Sequence, residues 1–312
     1  MKLDGIHHIT NITADGPRNV DFYARVMGLR MVKQSVNQDD PTVYHLFYGD
    51  ENASPGADIT FFEYPGVQQG RAGAGMIHTI AHRVGSAEAL DFWRERLADE
   101  GVEASRDGDV LRFADPEGLG QVLVVDATED EPLIAYATEV PDEFALRGFD
   151  HVRAYAASPY ESNELFEDAL AFDAVADLEW EARGPTRGGR FIFEPGGTRG
   201  IQGAGTVHHI AWAASSDEDH LAFRERAVKA GARATPVIDR FYFRSIYFRE
   251  PNGVLFELAT HDPGFDIDEP KETLGEKLSL PPKLAGRRAE IEPGLRPLPD
   301  TRPWRKRAAT RL

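Results

Sequence analysis

The sequence predicts an α+β protein: four β-α-β-β-β modules paired into two half-barrel domains, with a proline-rich C-terminal extension. Three observations predict it. A strand-like segment carrying a histidine occurs four times, at Ile6-His7-His8-Ile9-Thr10, Met76-Ile77-His78-Thr79-Ile80, Phe149-Asp150-His151-Val152-Arg153 and Val207-His208-His209-Ile210-Ala211. Each is followed by an amphipathic, helix-like stretch and then by runs rich in β-branched and aromatic residues. The second and fourth copies also match in detail: His78 falls on His208, Trp93 on Phe223, Arg94-Glu95-Arg96 on Arg224-Glu225-Arg226, and Gly101 on Gly231.

The modules run over about 1–66, 75–127, 147–196 and 205–261. In the first, Pro17 suits an opening helical turn, Gly28 a helix end, and Val43 to Tyr48 and Ile59 to Tyr64 read as strands. In the second, a helix ends at Gly101, and the turn Asp115-Pro116-Glu117-Gly118 separates strands Val110 to Phe113 and Val122 to Val125. In the third, Ser158 is placed to cap a helix opened by Pro159. In the fourth, Ser216 caps, Gly231 closes, and Glu250-Pro251-Asn252-Gly253 joins strands Phe241 to Phe248 and Val254 to Leu258. Residues 262–312 hold eight of the 20 prolines, and the last 26 residues carry eight Lys or Arg. They read as a peripheral wrapping segment ending in a solvated basic tail, with docking of that tail on the acidic body the less favoured reading.

Composition narrows the function. The 312 residues include 35 basic and 52 acidic ones, a net charge of −17 that argues against nucleic acid or an anionic membrane as partner. No cysteine is present, which excludes disulfides, thiol nucleophiles, zinc fingers and iron–sulfur clusters. No apolar run reaches the ~18 residues of a spanning helix or forms a signal peptide, so a soluble cytoplasmic protein is expected.

With ten histidines and no cysteine, a metal site must be built from His and carboxylates. Two His and one carboxylate suit a ferrous ion and leave positions open. At the first-strand position the modules carry His8, Thr79, His151 and His209; at the last-strand position they carry Glu63, a valine near Val124, Glu194 and Glu257. A lone strand histidine is more often structural than a ligand, but two His-His pairs at matching places reverse the odds. So does Glu257 in the apolar run Val254-Leu255-Phe256-Glu257-Leu258, where an unpaired buried carboxylate would cost several kcal/mol. Glu63 and Glu194, close to Pro65 and Pro195, read as solvated strand-end residues, and His45, His82, His220 and His261 as structural. Two pairings stay open on the residues alone: His151, His209 and Glu257 if modules three and four share a domain, or His8, His209 and Glu257, with Glu63 nearby, if modules one and four do.

The chain resembles ring-cleaving dioxygenases of the vicinal oxygen chelate (glyoxalase/bleomycin-resistance/dioxygenase) superfamily, in the branch acting on para-diols. The matching motifs are Gly5-Ile6-His7-His8-Ile9-Thr10, Asp21-Phe22-Tyr23 through Asn37, Tyr44-His45-Leu46-Phe47-Tyr48-Gly49-Asp50, Ser54-Pro55-Gly56, Thr60-Phe61-Phe62, Val207-His208-His209-Ile210-Ala211, Leu255-Phe256-Glu257, and the tail segments Leu278 to Pro282 and Arg288 to Glu292. The resemblance implies that modules one and four form the catalytic half and modules two and three a metal-free half. It implies Fe(II), with Mn(II) the other candidate, held by His8, His209 and Glu257. It further implies His7, His208, Tyr247 and Arg240 as catalytic residues, and Thr10 and Arg240 as substrate-binding ones. The expected partners are a small hydroquinone- or catechol-type aromatic and O₂, and a homo-oligomer is compatible with the fold. Two other functions compete: a glyoxalase-like isomerase with a more fully ligated metal, for which Glu63 would be the fourth ligand, and a metal-free module that sequesters an aromatic or an antibiotic.

Overall fold

In the computed structural model, which describes residues 1–306, the chain forms sixteen strands in two eight-stranded sheets. The strands are β1 (Ile6–Thr13), β2 (Arg30–Val36), β3 (Tyr44–Gly49), β4 (Asp58–Glu63), β5 (Met76–Val84), β6 (Ala104–Asp107), β7 (Val110–Ala114), β8 (Gly120–Val125), β9 (Phe149–Ala156), β10 (Asp173–Ala176), β11 (Glu179–Arg183), β12 (Gly188–Pro195), β13 (Thr206–Ala214), β14 (Ile238–Asp239), β15 (Phe243–Arg249) and β16 (Leu255–Pro263). The first sheet runs β14-β15-β16-β13-β1-β4-β3-β2 and curls into a half-barrel; the second runs β10-β11-β12-β9-β5-β8-β7-β6. Each has an antiparallel central pair, β1–β13 or β5–β9, flanked on both sides by a parallel partner. The two halves of each sheet are therefore related by a local two-fold.

The helices differ between modules. Ala87–Asp99 and Asp217–Lys229 are full helices, capped by the Ser86 and Ser216 side chains, which accept from Ala89 N–H and Asp219 N–H. They bury Ala89, Leu90, Trp93 and Leu97, and His220, Phe223 and Ala227 respectively. Gly101 (φ +72°) and Gly231 (φ +90°) supply the left-handed residue that ends them. The first and third modules lack such helices. Gly16–Val20 opens at Pro17 and widens into a π turn over Asp21–Val26, and a 3₁₀ turn at Pro159–Ser162 leads to a π turn over Glu164–Ala169. The wide turn keeps the adjacent apolar pairs Phe22-Tyr23 and Leu165-Phe166 buried together. The Ser158 side chain makes no cap; its backbone N–H bonds instead to Asn252 Oδ1 at 2.9 Å.

The main core joins the halves through Phe166 of the Glu164–Ala169 turn and Phe191 of the second sheet on one side and Trp212 and Phe256 of the first sheet on the other, with Phe166 stacked on Phe256 at 5.5 Å. A smaller apolar cluster of Val32, Phe47, Ala211, Tyr242, Phe243, Ala259, Phe265 and Leu274 lies on the opposite face of the first sheet. The extension covers that cluster. Lys33, wholly buried, donates to Phe265 O (2.9 Å), Asp268 (2.7 Å) and Glu269, and Gln34 pairs with Gly275 O and Ser279 N. The tail is not simply solvated: Arg305 pairs with Glu51 at 3.0 Å and Lys306 with Asp142, so the acidic body holds it. The rest of the basic tail, 307–312, lies outside the described residues.

Candidate metal centre

The site follows from strand alternation. In β16, Phe256 and Leu258 point into the main core, so Glu257 and Ala259 point to the other face. There β1 and β13 bring His8 and His209 beside Glu257. His209 Nε2 lies 2.9 Å and His8 Nε2 3.3 Å from Glu257 Oε2, and the two imidazole nitrogens are 3.4 Å apart. Adjacent donors bound at roughly 2.1 Å to one ion stand about 3 Å apart, so these three spacings fit one face of a coordinated cation. They form the one cluster of three or more potential metal-ligating side chains among the described residues. His151 is on β9 in the other sheet and takes no part.

Two β-bulges orient the histidines. Ile6 pairs with Trp212 and His8 with Ala211, leaving His7 as the extra residue of β1; Thr10 pairs with His209 and Asn11 with Val207, leaving His208 as the extra residue of β13. Regular strands would put His7 and His208 on the face opposite His8 and His209. The bulges instead bring their rings alongside, with His7 Nδ1 2.9 Å from His8 Nδ1 and His208 Nδ1 2.8 Å from His209 Nδ1. One tautomer follows. His7 Nε2–H donates to Thr260 O at 3.1 Å, so His7 Nδ1 accepts from His8 Nδ1–H, and His8 Nε2 turns a lone pair toward Glu257. A lone pair facing a fully buried carboxylate whose Oε1 accepts no hydrogen bond is an arrangement that calls for a cation. The residues present fit a metal.

Electrostatics agree. Burial pushes the Glu257 pKa up, but positive charge at the His8 and His209 nitrogens, the place a bound cation would take, outweighs it and holds the carboxyl well below the usual range. Burial keeps His7 and His209 below their ordinary value and His208 at about 3, so these rings are neutral.

Tyr247 on β15 pairs with Glu257 across the ladder and meets the His209 ring edge-on at 5.8 Å. Burial and then the Glu257 charge raise its pKa, so it stays a phenol. Arg240 Nε donates to Tyr247 Oη at 3.3 Å, and its other nitrogens pair with Asp39 at 3.0–3.1 Å. Thr10 is fully buried and accepts from Thr60 Oγ1 at 2.8 Å. A pocket opens onto the cluster, lined by His8, His209, Glu257, Tyr247, Arg240, His45, Phe47, Phe62, Phe243 and residues 35–39. Thr10, His7 and His208 stand behind that lining.

Strand register corrects the last-strand alignment. Glu257 pairs with Ala211, two residues after His209; the residue pairing two after His8 is Thr60, and the corresponding ones in the second sheet are Val122 and Ile192. Glu63 and Glu194 are therefore not the counterparts of Glu257, whereas in the second module the place does fall to a valine near Val124, namely Val122. Nor is Glu63 solvated: it is buried and accepts from Gly16 N–H at 2.9 Å, at the entry to the first helical turn. Glu194 is partly exposed and pairs with Arg153. His82 and His220 are structural, bonded to Gln121 and Leu258 O. His45, bonded to Thr60 Oγ1, also lines the pocket, as do Phe47 and Phe62, and the alternation of β3 between buried Leu46 and Tyr48 and opposite-facing His45 and Phe47 is the sequence signal for that placement.

A half-barrel of paired modules with a metal-ready triad on one face defines the class: the chain belongs to the Glyoxalase/Bleomycin resistance protein/Dioxygenase superfamily, whose family model matches residues 5–119 and 148–258. Within it, the chain is 42% identical over 305 residues to "Putative ring-cleaving dioxygenase MhqO" of Bacillus subtilis, covering 95% of this chain and 97% of that protein. It is 31% identical to the chlorohydroquinone/hydroquinone 1,2-dioxygenase of Sphingobium indicum, over 93% of this chain and 95% of the relative. A crystal structure of a "putative dioxygenase" from Bacillus subtilis superposes with a TM-score of 0.87 at 39% identity, covering 96% of this chain and 98% of that one. No helix among the described residues is long and apolar enough to cross a membrane.

Proposed function

We propose that the protein is a ring-cleaving dioxygenase that opens a hydroquinone-type aromatic with O₂, and that modules one and four form its catalytic half, with modules two and three metal-free. The observation that carries the reading is the His8–His209–Glu257 triad at the floor of an aromatic-walled pocket, in a chain whose relatives are named for this chemistry. His8, His209 and Glu257 would hold Fe(II), a choice supported by a two-His, one-carboxylate donor set without sulfur. When bound, the ferrous ion supplies the charge that favours the phenolate form of a substrate hydroxyl and the redox chemistry that O₂ requires.

The chain's own residues do the rest. Phe47, Phe62 and Phe243 provide flat apolar walls for a ring and exclude water. Tyr247 stays protonated, and because Arg240 donates to its oxygen, its proton is free to point at an oxygen in the pocket. Arg240 adds positive charge on the same side. His7 and Thr260 O fix the His8 tautomer, and His208 does the same office for His209. A proton held or passed by such a group is generally worth ~10²–10⁴-fold in rate. Thr60 weighs against the glyoxalase-like alternative, because a hydroxyl occupies the place where a second carboxylate, as fourth ligand, would stand.

Oxygen uptake by anaerobically loaded protein, with hydroquinone and catechol in parallel, tests the reading. One O₂ consumed per ring and a product heavier by both oxygen atoms are expected with hydroquinone. Isomerisation of a hemithioacetal without O₂ consumption would transfer the site to the glyoxalase reading.

A further inference from the structure

We propose that His45 is a substrate-binding residue, accepting a hydrogen bond at Nδ1 from the second hydroxyl of the aromatic diol; this rests on the ring-cleavage reading. His45 Nε2 lies 2.9 Å from Thr60 Oγ1, and Thr60 donates its one proton to Thr10. Nε2 is therefore the protonated nitrogen, and Nδ1 keeps its lone pair with no partner among the described residues. The ring is clamped between Phe47 and Phe62, at 3.9 and 4.3 Å between centroids, so the lone pair has a fixed direction. Burial holds its pKa well below the ordinary value, which keeps it an acceptor.

The pocket has a use for one. Tyr247 and Arg240 are donors and suit a substrate oxygen that has lost its proton, whereas a hydroxyl that keeps its proton needs an acceptor. Asp39 is committed to Arg240, and the Asn37 side-chain oxygen to Asp39 N–H. Across the local two-fold, ladder register makes Phe47 the counterpart of Tyr247 and His45 that of Ser245, so the polar ring sits one step along the opposite wall. Gln38 Oε1 and Ser35 Oγ are further unpartnered acceptors of the pocket, besides the Glu257 carboxylate.

Anaerobic titration of the ferrous-loaded protein with hydroquinone and with 4-methoxyphenol, in which a methyl group blocks the second donor, separates these roles. For His45→Phe, which keeps the aromatic stack, hydroquinone should bind about tenfold more weakly, the loss of one good hydrogen bond. Binding of 4-methoxyphenol should change less than about twofold, iron content should not change, and His45→Gln should restore part of the difference. Equal weakening of both ligands, weakening of neither, or a selectivity that follows Gln38→Leu instead would overturn the assignment while leaving the ring-cleavage reading standing. Wild-type protein that binds neither compound would sink both.

Discussion

The two sheets share their central architecture and differ in what it carries. Each central antiparallel pair has two bulges: His7 and His208 are the extra residues in the first sheet, His78 and Asp150 in the second. In each, the side chain of the extra residue bonds the next one, so His78 Nδ1 meets Thr79 Oγ1 at 2.9 Å and Asp150 Oδ2 meets His151 Nδ1 at 2.6 Å. At the ligand positions the first sheet has His8, His209, Glu257 and Thr60, and the second has His151, Thr79, Val122 and Ile192. The charges beside them also reverse. Asp58, next to His8 in the ladder, is buried with both oxygens unpartnered, while its counterpart Arg190, next to His151, is paired with Asp150 and Glu179. The bulged scaffold alone therefore does not make a metal site. On the proposed reading, a carboxylate on the neighbouring parallel strand and a second imidazole are what it needs in addition.

The largest expected effect comes from removing that carboxylate. Glu257→Gln should lower turnover by roughly 10²–10³-fold or more while far-UV circular dichroism stays unchanged. The reverse change sharpens the comparison. Thr79→His with Val122→Glu, beside native His151, rebuilds the triad in the second sheet, so the double variant should bind a second metal equivalent. Without metal its uncompensated buried carboxylate should destabilise the fold by about 3–5 kcal/mol.

Asp58 tests the charge difference through pH. Burial raises its pKa from 3.8 to about 7, so the folded state holds a proton that the unfolded state has released between those values, and stability falls as pH rises through that window. In metal-free protein Asp58→Asn should match wild type near pH 4 and gain roughly 2–4 kcal/mol by pH 8, read from urea midpoints. A gain that is the same at both pH values would contradict the unpaired carboxylate. His7→Phe, which removes the ring that fixes the His8 tautomer, should weaken metal binding about 10–100-fold in a competitive chelator titration. Glu63→Gln should be smallest: metal binding unchanged, and stability altered by about 1 kcal/mol or less, since only the bond to Gly16 N–H and a long ion pair with the half-exposed Arg296 are affected.

The fold was legible because the repeated histidine strands, the helix caps at Ser216 and the closing glycines are local features. Glu257 stood out because alternation leaves no apolar reason for a glutamate inside Val254 to Leu258. Its partner did not: whether His8 or His151 joins His209 depends on β13 pairing with β1, a contact between residues 200 apart that local pattern does not contain. The bulges were hidden for a related reason, since a two-residue period has no mark for an extra residue. Anchoring the last strands on their glutamates rather than on register displaced Glu63 from Thr60 by three positions. His45, a single histidine among aromatics, reads as core until the strand's two faces are separated. The docking of Arg305 and Lys306 likewise depends on carboxylates, Glu51 and Asp142, far away in sequence.

The central claim is that one ion belongs to the first sheet and none to the second. Anaerobic Fe(II) titration followed by desalting and metal analysis tests it on three proteins: wild type, Glu257→Ala and His151→Ala. The account predicts about one iron per chain for wild type, almost none for Glu257→Ala, and the wild-type value for His151→Ala. Iron retained by Glu257→Ala, or lost from His151→Ala, would contradict it.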